Sequence, residues 1–202
     1  MLDLPKTTEL SKQLPKKAIY ARFKMNTAAR EKFDADISKI TIVNEISPNT
    51  IPVSAGNEIN SFYVLLISLK KKDFDEKTIV QLSNLIDQNI LFILEYGNEA
   101  KLAIHRNRLM QTDWQPKDSQ SVKLKGIDLD AVWDNITIQI GNIQIEEGNS
   151  LNEQITINEK RQKLQKEIDK LERLARNKKQ PKKKFEIHTK LQELKNRQII
   201  HN

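Results

Sequence analysis

Three residues in this 202-residue chain have the types that metal-assisted phosphodiester cleavage needs: Glu45, Glu58 and Lys70. A restriction-type nuclease gathers carboxylates on a metal ion and sets a lysine beside the last of them to activate water or steady charge. Glu45 and Glu58 fall near the ends of expected strands, and Lys70 follows the longest apolar run. The carboxylate required two positions before that lysine is Ser68, so the set is short of a ligand. Ordinary strand-end charges and a solvated lysine step account for the same residues without chemistry. Other catalytic constellations are not in the sequence. His105, His188 and His201 show no ligand spacing, and the absence of cysteine excludes disulfides and thiolate metal sites. Five scattered glycines make no phosphate loop, and no serine stands in a nucleophile-elbow setting. No metal and no cofactor is expected, and a non-catalytic protein is the favoured reading.

A second set is electrostatic. Lys178, Lys179, Lys182, Lys183 and Lys184 crowd around Pro181, where they could neutralise the phosphates of DNA or RNA. Phe185 is the one aromatic residue at hand to stack on a base, so backbone contact is expected rather than sequence reading. A merely solvated turn is the plain alternative. The wider charge distribution sharpens the question. Residues 1–150 carry 19 Lys and Arg against 20 Asp and Glu, whereas residues 151–202 carry 15 against 7. The whole net charge of +7 therefore comes from the last quarter of the chain, as in a neutral globular body with a basic arm.

The elements that must hold these residues centre on 59–96. Ile59 to Leu69 reads as a buried strand, about Asp75 to Gln88 as an amphipathic helix with Asp73 and Glu76 as its capping pair, and Ile90 to Tyr96 as a second buried strand. Before them, Thr7 to Gln13 suggests a short helix, and KAIYARF (17–23) a half-buried strand. Asn26 caps a helix to about Lys39, and Ile40 to Ile46 follows as a strand with Ile51 to Val53 as an edge segment. After them, Gly97 turns a hairpin into an edge strand, Lys101 to Arg106. The stretch 110–122 reads as irregular apart from Trp114. Asp128 caps a helix carrying Leu129, Val132, Trp133, Ile136 and Ile140, with Gly141 to end it, although Ile136-Thr137-Ile138 also suits a strand.

From Leu151 the apolar residues thin to a stripe with heptad-like gaps: Ile157, Leu164, Ile168, Leu171 and Ala175, with Arg161 as a polar intrusion. After Pro181 a second seam contains Ile187, Leu191 and Leu194. An antiparallel helical hairpin is the first expectation, a kinked single helix the second. The fold class is thus α+β, a mixed or antiparallel sheet with packed helices over 1–145, then a coiled-coil-like basic hairpin over 151–202. No apolar run is long enough to span a membrane, and the N-terminus lacks a signal-peptide layout, so a cytoplasmic protein is expected.

Taken in order, a set of short motifs resembles an uncharacterised bacterial family, a domain of unknown function. They are Leu14-Pro15-Lys16, Ile37-Ser38-Lys39-Ile40, Ile46-Ser47-Pro48, Glu58-Ile59 and Leu69-Lys70, then Ile86-Asp87, Ile90 to Leu94, Thr112-Asp113-Trp114, and the basic C-terminal segment from Gln180. Members of that family are typically encoded beside helicases and DNA methyltransferases of restriction or phage-defence islands. The resemblance implies an accessory protein of DNA defence that docks a helicase or methyltransferase partner, and it carries over no catalytic residue. Two alternatives stay open: an active or decayed metal-dependent nuclease, and a self-assembling homodimer held by the seam residues.

Overall fold

The structure is a computed structural model that describes residues 2–177 and 180–200. It is α+β and divides into two compact units, residues 1–143 and 144–202. In the first, strands follow in the order β1 (Glu9–Gln13), β2 (Ile37–Ile46), β3 (Phe62–Leu69), β4 (Asn89–Tyr96), β5 (Glu99–Arg106) and β6 (Arg108–Gln111). The short β7 (Gln115–Pro116) shares the outer side of β5. Among these strands β3 and β4 run parallel, joined by α3 (Glu76–Leu82), and the other strand pairings are antiparallel. The β3–β4 register sets Leu65 beside Phe92 and Leu66 beside Ile93. These strands are nearly unbroken in aliphatic residues because helices cover the sheet on both sides.

On one side α1 (Lys16–Arg22), α2 (Thr27–Asp36) and α3 supply Ile19, Phe33, Ile79 and Leu82. They pack into a cluster with Leu65, Ile67, Leu69, Phe92 and Leu94. On the other, α4 (Leu129–Gly141) buries Leu129, Val132, Trp133, Ile136 and Ile140, with the Trp133 ring 5.1 Å from that of Phe62. The N-caps read from the sequence hold for two helices. The Asn26 side chain accepts from the Ala29 N–H at 2.9 Å, and that of Asp128 accepts from Ala131 at 2.8 Å.

Several expectations are corrected. Residues 9–13 form an edge strand rather than a helix, and all five are exposed, so no burial pattern marks them. A buried side-chain bond from Asn44 Nδ2 to Thr8 Oγ1, 2.8 Å, ties the start of this strand to β2. Residues 16–22 form a helix rather than a strand: Ile19 and Phe23 are spaced for either, and Pro15 stands at the N-cap with its preset φ. α2 stops at Asp36, and Ile37 and Ile40 are buried from β2. α3 is half the expected length, and its cap is Asp75, which accepts from Lys77 N–H, rather than an Asp73–Glu76 pair. β5 is not an edge, since β6 and β7 pair outside it, and Ile51 to Val53 forms no strand. The segment 136–138 is helical. α4 ends because Asn142 takes the left-handed conformation (φ 44°), while Gly141 lies where a Cβ would come within 2.8 Å of Met110 Sδ.

The second unit contains α5 (Leu151–Asn177) and α6 (Pro181–Ile200). Ile168, Ala175, Leu191 and Leu194 form a buried cluster against which Leu164, Leu171 and Ile187 pack. Arg161 does not enter it and instead pairs with Glu146 at 2.6 Å. None of the described helices is long and apolar enough to cross a membrane.

Candidate functional site

The register of β3 separates the three nuclease candidates. Glu45 lies opposite Tyr63 near the start of β3 and accepts from the Tyr63 hydroxyl at 3.4 Å. Burial, reinforced by this carboxylate, pushes the Tyr63 phenol up. Glu58 precedes the same end of the strand. Lys70 follows the other end, about 23 Å from Tyr63 at roughly 3.3 Å per residue, and its N–H donates to Asp36 O at 2.8 Å. The fold thus holds Lys70 apart from both glutamates. Glu58 has a different role, through its backbone. Asp130, in the first turn of α4, accepts from the N–H groups of Asn57 (2.7 Å), Ile59 (2.8 Å) and Glu58 (3.2 Å). Desolvation pushes the Asp130 carboxyl up, but these bonds together hold it below the usual carboxylate range. A Cβ on Gly56 would sit 2.1 Å from Asp130 Oδ1. Gly56→Ala is therefore expected to push the carboxylate off the amides of residues 57–59 and to lower the urea midpoint of the first unit. With Asp130 depressed in the folded state, its contribution is present above the unfolded carboxylate pKa and is lost as pH falls through the folded one.

Where β3 ends, the lysine step 70–72 is drawn into an ordered cluster. Asp36, 2% exposed, pairs with Lys71 (2.8 Å) and accepts from the Asp75 N–H (2.9 Å), so one carboxylate holds both ends of the loop from β3 to α3. Lys72 pairs with Glu99 and lies 5.4 Å from the Trp114 ring centre. Lys101 stands between two rings, 4.9 Å from Phe74 and 5.2 Å from Trp114. Desolvation there lowers the Lys101 pKa against the opposing pull of Glu76 and Asp113. Thr112 fixes the approach of Trp114, because its hydroxyl accepts from Leu102 N–H and its own N–H donates to Leu102 O, both at 2.9 Å. This arrangement gives the Thr112-Asp113-Trp114 motif a physical reason. Lys72, Lys101 and Trp114 are far apart in sequence, and no local pattern pairs them.

A third cluster is built by α1 and α2. Lys16 and the Tyr20 hydroxyl both bond Asp34 Oδ1 at 2.6 Å, which lowers the Asp34 carboxyl. Burial, then the bond to Asp34, pushes Tyr20 up to about 12. A raised phenol contributes stability that is complete below the unfolded tyrosine pKa of about 10 and is lost as pH rises through the folded value. The urea midpoint is accordingly expected to fall between about pH 10 and 12, and Tyr20→Phe to flatten that part of the profile.

Of the remaining candidates, Lys178 and Lys179 lie outside the described residues, as do the side chains of Lys182, Lys183 and Lys184, whose backbone opens α6. Leu164, Ile168, Leu171, Ile187, Leu191 and Leu194 are brought together within the second unit. His105 is half-buried, and desolvation lowers its pKa; His188 is exposed, and His201 lies outside the described residues. Among the described residues no three acidic or histidine side chains gather as a metal site.

A family model, the domain of unknown function DUF4391, matches residues 2–197. The chain belongs to this family. The match spans both units, so the helices of the second are part of the DUF4391 pattern rather than an addition to it. No curated protein and no solved structure matches the chain.

Proposed function

We propose that this DUF4391 protein is a non-catalytic accessory subunit of a bacterial DNA-defence system, working in the cytoplasm. It docks a helicase or DNA methyltransferase and uses its basic second unit to touch nucleic-acid backbone. The observation that carries the reading is the charge partition. Residues 151–202 hold 15 Lys and Arg against 7 Asp and Glu, while the sheet-bearing unit is close to neutral. α5 and α6 are read as an antiparallel hairpin. The shared cluster and the pairs Lys190–Glu167 (3.3 Å) and Lys195–Glu172 (2.7 Å) support this. With the seam closed on itself, its described surface is mostly polar and charged, with Leu174 and Phe185 as the exposed large apolar residues, which suits phosphate contact better than dimerisation through Leu164, Ile168, Leu171 and Leu191.

Two measurements test the reading. Co-expressed with a helicase and, separately, a DNA methyltransferase of a bacterial DNA-defence system, the protein is expected to co-elute with one of them in gel filtration; migration alone in both cases would reject the docking role. Replacing Lys178, Lys179, Lys182, Lys183 and Lys184 by glutamine is expected to weaken binding to duplex DNA. The slope of log affinity against log salt should become shallower by about 4 to 5. An unchanged affinity and slope would reject the contact through the turn.

A further inference from the structure

Beyond the turn, α5 carries a second cationic feature. Lys163, Lys166, Lys170 and Arg173 recur at steps of three, four and three and are all exposed. At 100° per residue they fall on the side of the helix opposite Leu164, Ile168, Leu171 and Ala175. From Lys163 to Arg173 the row is straight and about 15 Å long, at 1.5 Å of rise per residue. Its charges outnumber the acids beside them for a structural reason. Glu167 and Glu172 turn to Lys190 and Lys195 of α6, which removes two α5 acids from the outer side. Asp169, exposed beside Lys166, Lys170 and Arg173, accepts from Gln165 Nε2 at 2.7 Å and offsets one of the four charges, so the row keeps a positive excess. Glu159, half-buried, lies a turn before the row. None of the four cations makes a salt bridge among the described residues.

We propose that the outer side of α5, through Lys163, Lys166, Lys170 and Arg173, is a docking surface for the phosphate backbone of duplex nucleic acid. This rests on the nucleic-acid reading of the second unit and assigns the contact to residues distinct from the turn lysines. Charge complementarity selects the occupant: 15 Å of duplex presents about nine phosphates, and a linear row of cations matches a linear polyanion. A protein interface requires an apolar or aromatic anchor at its centre. Beside this row only Leu174, 39% exposed, offers apolar surface. A membrane-lying helix needs its apolar face free, and that of α5 is consumed in the cluster with α6. Lysine and arginine on phosphate read no sequence, so the surface is indifferent to base order.

The test uses the full chain, a fluorescein-labelled 20-bp duplex and anisotropy from 50 to 300 mM KCl. The variant K163Q/K166Q/K170Q/R173Q is expected to lose at least about tenfold in affinity at 50 mM and about 3 to 4 in salt slope. The double variant K166Q/K170Q loses about half that slope, and both keep the wild-type circular dichroism and melting midpoint. Two duplexes of unrelated sequence should give the same values. A wild-type slope in the quadruple variant overturns the proposal. If the turn-lysine variant alone loses binding, the proposal fails while the nucleic-acid role of the second unit stands. Absence of DNA binding by the wild type at 50 mM KCl overturns both contacts, leaving the docking role to co-elution. Binding to phosphatidylserine vesicles but not to the duplex overturns it in favour of a membrane.

Discussion

Phe92→Ala is expected to remove about 3–5 kcal/mol from the first unit, a large part of the stability of a domain of this size. Phe92 is 0% exposed in the middle of β4, in parallel register with Leu65 of β3 and opposite Ala103 of β5. It belongs to the cluster into which α1, α2 and α3 insert Ile19, Phe33 and Ile79. Truncation would open a cavity bordered by two strands locked by hydrogen bonds, so collapse around it is limited and the cost sits toward the upper half of the range. Ala103 across the pair has no side chain long enough to refill the space. Phe92→Leu keeps most of the volume and is expected to cost less than about 1.5 kcal/mol. Chemical denaturation of the two variants checks the contrast. Equal midpoints would mean that the cluster is not close-packed around this ring.

The same ring shows what the amino-acid sequence discloses. Leu91 to Leu94 and Val64 to Ile67 are near-continuous apolar runs bounded by polar residues, and such runs have few uses other than strands covered on both faces. Asn26 and Asp128 announce their helices because a cap is a local bond across three residues. Elements decided by distant partners are not legible in this way. β1 has no buried residue and exists by pairing with β2, so its periodicity is silent. Ile19 and Phe23 satisfy both a strand and a helix spacing, and burial against the sheet cluster selects the helix. Glu45 and Lys70 look compatible with one site in a linear reading, yet antiparallel pairing of β2 on β3 sends Glu45 to the wrong end. The row on α5 differs again, since its three-and-four spacing is written in the sequence. Its excess of positive charge becomes visible only once Glu167 and Glu172 are seen paired to α6.

The loop from β3 to α3 supplies the second large effect. Asp36→Ala is expected to destabilise the first unit by about 2–3 kcal/mol, because the Asp75 N–H loses its acceptor inside the fold and Lys71 loses its counter-charge. The ion pair itself accounts for the smaller share, since Lys71 is half-exposed and screened by water. Asp36→Asn separates the two contributions: an amide oxygen still accepts from Asp75 N–H while the charge is gone, so about half or more of the stability should return. The consequence also reaches the surface. Lys72 and Phe74 lie between the two points where Asp36 holds the loop, and they meet Trp114 and Lys101 from that loop. Releasing it in Asp36→Ala is expected to loosen the rings around Lys101 and red-shift the Trp114 emission toward that of a solvated indole, with Trp133→Phe as the background that isolates the signal. Unchanged emission together with a full loss of stability would mean that Trp114 is placed by Thr112 and β5 alone, independently of the loop.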